Sequence, residues 1–293
     1  MKKRLFAHQK QSDCTLNDLP HNRVQAFFDV VKNRYDVLFR IGSLFLLFAL
    51  PLLVSFFAAN IYGNSLLNNY QDGSLSQENY LSSLLQLALI KRAAESVSLL
   101  LFAFPMSAAL RLIRRLAYQE NIQFGGDYSL GVKGNLKECF GVIALLSLSF
   151  FVASFSFDYG ALFYSSSYGA SLAFDLPLFL AGLFFYPLCL FFFAQIPVYS
   201  NPLSLSFRNA FLFYGKSIFP SLGIALLFLL PLGVFLIPNI YAVLALSLFL
   251  FLVGVPLAML FFFLYASSLF DRYLNPSAFP SLIDKGIYRI APK

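Results

Sequence analysis

Lys91, Arg92 and Glu95 are the residues of this chain whose types and spacing most invite chemistry. On a helix, a lysine and a glutamate four positions apart face one another across a turn, so Lys91 and Glu95 are expected to pair. A charge beside an apolar run either snorkels to the membrane interface or lines a polar pocket or ion path, and Glu95 is the residue on which the second outcome would turn. Other chemical tools are scarce. His8 and His21 both precede residue 25, which excludes HExxH metal chemistry and histidine-based nucleophilic triads from the apolar region. Cys14, Cys139 and Cys189 are an odd number without CxxC spacing, so no disulfide framework, metal site or cofactor is expected. Asp158 and Asp175, which aspartyl chemistry would need as a pair at depth, each fall at the end of an apolar stretch. Gly215-Lys216-Ser217 matches the end of a phosphate loop, but Ala210 stands where the leading glycine belongs and no strand precedes it. These residues predict a chain that is not an enzyme.

The elements that must position these side chains are apolar. Six stretches are candidates to cross a bilayer: Ile41 to Ile61, Ser96 to Leu110, Phe140 to Phe157, Leu176 to Val198, Ile218 to Ile237 and Ile240 to Phe270. A content of 59% hydrophobic and 12% charged residues separates the chain from globular domains, in which about 25% charged is usual. The runs are continuous rather than alternating, which predicts helices and not a barrel. The fold class expected is therefore all-α, a polytopic membrane bundle of six helices. Residues 1–24 read as a polar tail, 25–270 as the transmembrane domain and 271–293 as a second tail.

Of the 21 Lys and Arg, 19 lie on one side of this map, and only Lys91 and Arg92 lie on the other. The positive-inside rule then places both termini in the cytoplasm. The net charge of +7 is concentrated beside the ends of the stretches, so the expected partner is the lipid bilayer, through its anionic headgroups, and not nucleic acid. Met1-Lys2-Lys3-Arg4 leads into polar sequence rather than a long apolar segment, so no cleavable signal peptide is expected and the first stretch should direct insertion.

Phe supplies 37 residues and Trp none, so interfacial anchoring falls to tyrosine. Tyr62, Tyr70, Tyr80, Tyr159, Tyr164 and Tyr168 are expected at the outer interface, and Tyr118, Tyr128, Tyr199, Tyr214 and Tyr273 at the inner one. Before stretches one, three and five the chain repeats a motif of apolar or aromatic positions followed by a basic residue and Asn, at Phe27 to Asn33, Tyr128 to Asn135 and Leu205 to Asn209. The pattern suits amphipathic helices lying in the headgroup layer, although any cytoplasmic entry to a span could look alike. The second stretch is short: 15 residues lie between Glu95 and Arg111, about 22 Å of helix. Asn64 to Asn79 reads as a long polar outer loop. Pro51, Pro105, Pro187, Pro231 and Pro256 interrupt the stretches away from their ends, freeing carbonyls that kink a helix or line a cavity.

Phe27-Phe28 through Pro51, Pro105 through Lys137 with its Arg114-Arg115 and Asp127-Tyr128 to Gly131-Val132-Lys133 pattern, Asn209-Ala210, and Phe270-Asp271-Arg272-Tyr273-Leu274-Asn275-Pro276 together resemble the YesL-like bacterial integral membrane proteins, whose activity is unassigned. The resemblance covers most of residues 25 to 285 and departs from the family's short first hairpin at 64–79. It implies the bacterial cytoplasmic membrane and an accessory or assembly role beside carbohydrate uptake systems, with importer subunits as partners. Arg111, Arg114, Arg115, Lys133 and Arg208 are the candidate cytoplasmic partner surface. The alternative is a permease or channel subunit with a polar site near Glu95 and proline-kinked helices. A coupling motif of ATP-driven permeases is only faintly echoed by Ala210, Gly215 and Ile218-Phe219-Pro220, since its acidic residue is missing.

Overall fold

The computed structural model describes residues 19–229, 233, 237 and 239–288, and every regular element among them is helical. His8, Cys14 and Pro231, noted above, lie outside these residues. Where no water reaches the backbone, a chain of this composition satisfies its amides within each segment, which is the physical reason for an all-helical outcome.

Helix α1 (Arg23–Asn33) starts where the Asn22 side chain accepts the Gln25 N–H and ends at Arg34, whose N–H returns to the Val30 carbonyl. Ala26 and Val30 are buried while Val24 and Phe28 are exposed, the two-faced pattern expected of a headgroup-layer helix. Helix α2 (Tyr35–Gln71) then runs for 37 residues, about 55 Å, far beyond the roughly 30 Å of a hydrocarbon core. It turns at residues 72–76 into α3 (Gln77–Leu100), whose first turn is capped by Ser76. The polar segment from Asn64 to Asn79 is therefore mostly helical, not a long loop. Polar residues there keep helical backbone because α2 and α3 pack side by side, and Tyr70 stacks on Tyr80 with centroids 4.5 Å apart.

The second stretch is also longer than expected. Helices α3 and α4 (Ala103–Ala117) form one path bent by 41°. Pro105 lacks the N–H that would reach the Leu101 carbonyl, and the break lies at Leu101 and Phe102. Helix α5 (Phe124–Phe163) is continuous for 40 residues, so the Tyr128 to Asn135 motif is the start of a span and not a separate interfacial helix. The third occurrence behaves like the first: α8 (Leu203–Lys216) meets α9 (Ile218–Leu229) at 102°.

Helices α6 (Tyr168–Leu180) and α7 (Tyr186–Gln195) are joined by a π-helical turn at Ala181–Phe185, and α10 (Ile240–Phe249) and α11 (Val255–Tyr273) by another at Leu250–Gly254. Among the described residues, four paths are long and apolar enough to cross a membrane, or up to six if each bent pair is one span. The chain is a multi-pass helical membrane bundle. Short α12 (Asn275–Ala278) and a 3₁₀ turn follow, and the Tyr288 N–H reaches the Pro20 carbonyl at 2.9 Å, so the segment after α11 folds back onto α1. The Asp72–Ser76 turn marks one end of the bundle, called here the hairpin end; α1 and the C-terminus of α4 mark the other, the basic end.

Both π turns run into a proline. In a regular helix the residues at positions 187 and 256 donate to the carbonyls of Leu183 and Leu252, but Pro187 and Pro256 have no N–H to give. The Leu183 carbonyl instead accepts the Tyr214 hydroxyl of α8. The Leu252 carbonyl abuts Gly42 of α2, where a Cβ would overlap it. Helix α4 lies at the centre of the packing, against α2, α5 and α11, and at its crossing with α5 a Cβ on Gly131 would come within 2.9 Å of the Ala108 Cα. Phe45, Leu112, Ile113, Phe191, Leu260 and Phe270 fill the interior.

Gly42→Ala is expected to push α2 away from the π turn and cost about 1–3 kcal/mol, as overpacking of a tight core does. The check is the melting temperature in detergent beside Gly141→Ala, whose added Cβ meets nothing within 4 Å. An unchanged melting temperature for Gly42→Ala would show that the close approach is not needed.

Candidate functional site

At the hairpin end, the apolar run of α2 stops at Asn60 and that of α5 at Asp158, and between these helices α3 presents Lys91, Arg92 and Glu95. Arg92 holds Asp158 through both arms of its guanidinium, Nε to Oδ2 at 2.7 Å and Nη2 to Oδ1 at 3.0 Å, and donates Nη1 to Glu95 Oε2 at 2.9 Å. The side chains of Arg92, Glu95 and Asp158 are 19%, 5% and 21% exposed. The expected pair of Lys91 with Glu95 does not form. A planar guanidinium can serve two carboxylates on different helices at once, which an ammonium cannot do with the same geometry. Lys91 lies instead with its Nζ 5.3 Å from the centroid of the Phe56 ring. It faces a cleft of about 320 Å³ between α2, α3 and α5, together with Asn60, Asn64 and Asp158. The three candidate residues thus divide between a closed ion-pair triad and an open cleft.

The basic end carries a second charge network. Asp127 is nearly buried at the start of α5, where it accepts the Gln123 N–H at 2.9 Å and pairs with Arg115 and, at 3.4 Å, with Arg111. Glu120 pairs with Lys285 at 3.0 Å, Arg115 at 3.2 Å and Arg114 at 3.6 Å. Arg114 also donates to the Pro197 carbonyl at 2.8 Å, tying α4 to the end of α7. Arg23 pairs with Asp271 at 2.6 Å and donates to the Lys285 carbonyl at 2.8 Å. Asn275 links Asp271 to the Tyr199 hydroxyl.

Arg111, Arg114 and Arg115 are therefore engaged within the chain. Lys133 and Arg208 are exposed and free for contact from outside. Likewise Tyr118, Tyr199 and Tyr214 do not anchor the interface: all three are buried, at 8%, 6% and 6% exposure, and Tyr199 and Tyr214 spend their hydroxyls on internal partners. Sequence reasoning missed Asp127, Glu120 and Asp271 as partners of the basic cluster. The available signal was a double arginine at a helix end with two acids within the next 13 residues.

Partial burial acts to raise the Glu120 carboxyl, but the hydrogen bond and charge of Lys285, the charge of Arg114 and the hydrogen bond from Arg115 outweigh it and hold the group below its ordinary value of 4.5. A carboxyl depressed in the folded state contributes stability above its unfolded value and loses that contribution as pH falls through the folded one. Among the described residues, no three His, Cys, Asp or Glu cluster in a way that could hold a metal ion. At mid-depth, level with Leu146, the helices border a half-open cavity of about 420 Å³ walled mostly by apolar side chains such as Met106, Leu190, Val255 and Phe263.

Arg92→Gln should destabilise the protein by about 3–5 kcal/mol, since it strands two carboxylates of low exposure. In a double-mutant cycle with Asp158→Asn, thermal unfolding should give a strongly non-additive pair; additive losses would mean that the triad does not couple α3 to α5. Glu120→Gln should lower the melting temperature at pH 7, and its difference from the wild type should shrink as pH is brought below about 4.5. A difference that stays constant down to pH 3.5 would contradict the charge network. Comparison of the chain with protein-family models, with curated proteins and with solved structures gave no match.

Proposed function

We propose that this chain is a non-enzymatic accessory or assembly component of the bacterial cytoplasmic membrane, with both termini cytoplasmic, that serves a carbohydrate importer. The observation that carries the accessory role is the apolar lining of the mid-depth cavity: a solute path would need polar groups there, and the charges sit in networks at the two ends of the bundle instead. The association with carbohydrate import comes from the resemblance to the YesL-like proteins. The orientation comes from the 19 basic residues on one side of the map. Exposed Lys133 and Arg208 are the cations at the basic end through which a partner would be met.

One set of variants tests role and orientation together. Ser74→Cys, Lys133→Cys and Arg208→Cys, each in a Cys14→Ser chain, are treated in intact cells with a membrane-impermeant thiol reagent and, separately, with a permeant cross-linker. The expected result is labelling at 74 alone, with cross-links from 133 or 208 to stoichiometric importer subunits. Labelling at 133 or 208 from outside would overturn the orientation. Recovery of the chain without importer subunits, combined with solute flux in vesicles holding the purified chain, would replace the accessory reading with that of a permease.

A further inference from the structure

The cleft at the hairpin end is a three-helix junction that opens onto polar groups with unused hydrogen-bonding capacity. Its floor and walls come from Ala59, Asn60, Gly63 and Asn64 of α2, Ala88 and Lys91 of α3, and Asp158 and Ala161 of α5. Small residues on all three helices leave a volume of about 320 Å³, within the range of about 300–1,000 Å³ found for ligand sites. Lys91 makes no ion pair among the described residues, and the Asn64 amide makes no side-chain hydrogen bond among them. Asn60 donates to the Phe56 carbonyl at 2.8 Å, which leaves its Oδ1 available. Asp158 has both oxygens on Arg92, each with a second lone pair.

Charge and depth define the ligand. Lys91 and Arg92 against Glu95 and Asp158 sum to zero, so the site as a whole attracts neither a bare anion nor a bare cation. It does separate its signs: an ammonium with no ion-pair partner among the described residues stands in the same cleft as a carboxylate whose oxygens, though paired with Arg92, each keep a lone pair for a second donor. A zwitterion satisfies both. The cleft begins where the apolar runs of α2 and α5 end, at Asn60 and Asp158, and extends outward along Asn64, Leu84 and Leu162, which is the headgroup layer of the adjoining leaflet. We infer that this cleft binds the phosphoethanolamine headgroup of a membrane phospholipid, with Lys91 and Asn64 on the phosphate and Asp158 and the Asn60 Oδ1 accepting from the primary ammonium.

The test is native mass spectrometry of the full chain released from nanodiscs that contain phosphatidylethanolamine and phosphatidylcholine in equal amounts. The two lipids share the phosphate, but the trimethylated nitrogen of choline has no N–H to donate. The wild type should retain one phosphatidylethanolamine in preference to phosphatidylcholine by about tenfold, the order expected for exchanging a charge-assisted hydrogen bond for none. Lys91→Gln should lose retention of that lipid and Asn60→Leu should lose the preference. Lys133→Gln, at the opposite end, should change neither. Thermal melting of each variant near the wild-type value guards against misfolding. Equal retention of the two lipids by the wild type, or undiminished retention by Lys91→Gln, would overturn the assignment. Displacement of the lipid by soluble glycerophosphoethanolamine at similar concentration would also overturn it, by making the ligand a free solute instead of a lipid.

Discussion

Every backbone carbonyl at membrane depth must find a donor or a close partner, and the arrangement of this bundle follows from how that demand is met where proline removes a donor. Pro187 and Pro256 stand just after π turns, and the two carbonyls they leave, of Leu183 and Leu252, point to neighbouring elements. One takes the hydroxyl of Tyr214, which fixes α8 to the π turn before α7. The other meets the bare Cα of Gly42, which draws α2 against the π turn before α11. Side-chain packing around α4 then fills the space these contacts define, with Gly131 allowing α5 the same close approach on another side.

Charge closes the two ends of the same packing. At the hairpin end one guanidinium spans α3 and α5. At the basic end a wider network joins α1, α4, α5, α11 and the segment beyond it. Such pairs gain little where water competes and cost much when broken away from it. Low exposure at Glu95, Asp127 and Asp271 therefore makes these networks positional devices, which hold helix ends in register more than they add net stability.

Much of the fold could be read from the chain, because lipid imposes a simple rule on long apolar runs. Four of the six apolar stretches lie in paths long and apolar enough to cross a membrane and the second and fifth fall in bent helix pairs, while the Phe27 to Asn33 and Leu205 to Asn209 motifs form helices set off from the helices that follow. The Tyr128 to Asn135 motif does not, since nothing between it and the apolar run breaks the helix: Arg34 and Ser217 interrupt the other two. Hydropathy also misjudged the helices that outlast the membrane. Asn64 to Gln71 is polar but is held helical by a neighbouring helix, and that pairing is tertiary. The candidate site was half legible. The sequence singled out Lys91, Arg92 and Glu95, but periodicity along one helix pairs Lys91 with Glu95, whereas Arg92 makes the contacts and one of its partners, Asp158, lies 66 residues away on another helix.

The contact between Arg23 and Asp271 crosses 248 residues of chain, and the Tyr288 amide meets Pro20 beside it. A ribosome adding about 5–20 residues per second needs roughly 10–50 s to supply the second partner after the first. During that interval α1 has no acid to receive its arginine, and the end of α4 lacks Lys285. Closure of the basic end therefore waits for residues 271–288, and a chain cut short before them would lack the Asp271 carboxylate and the Lys285 ammonium that latch it.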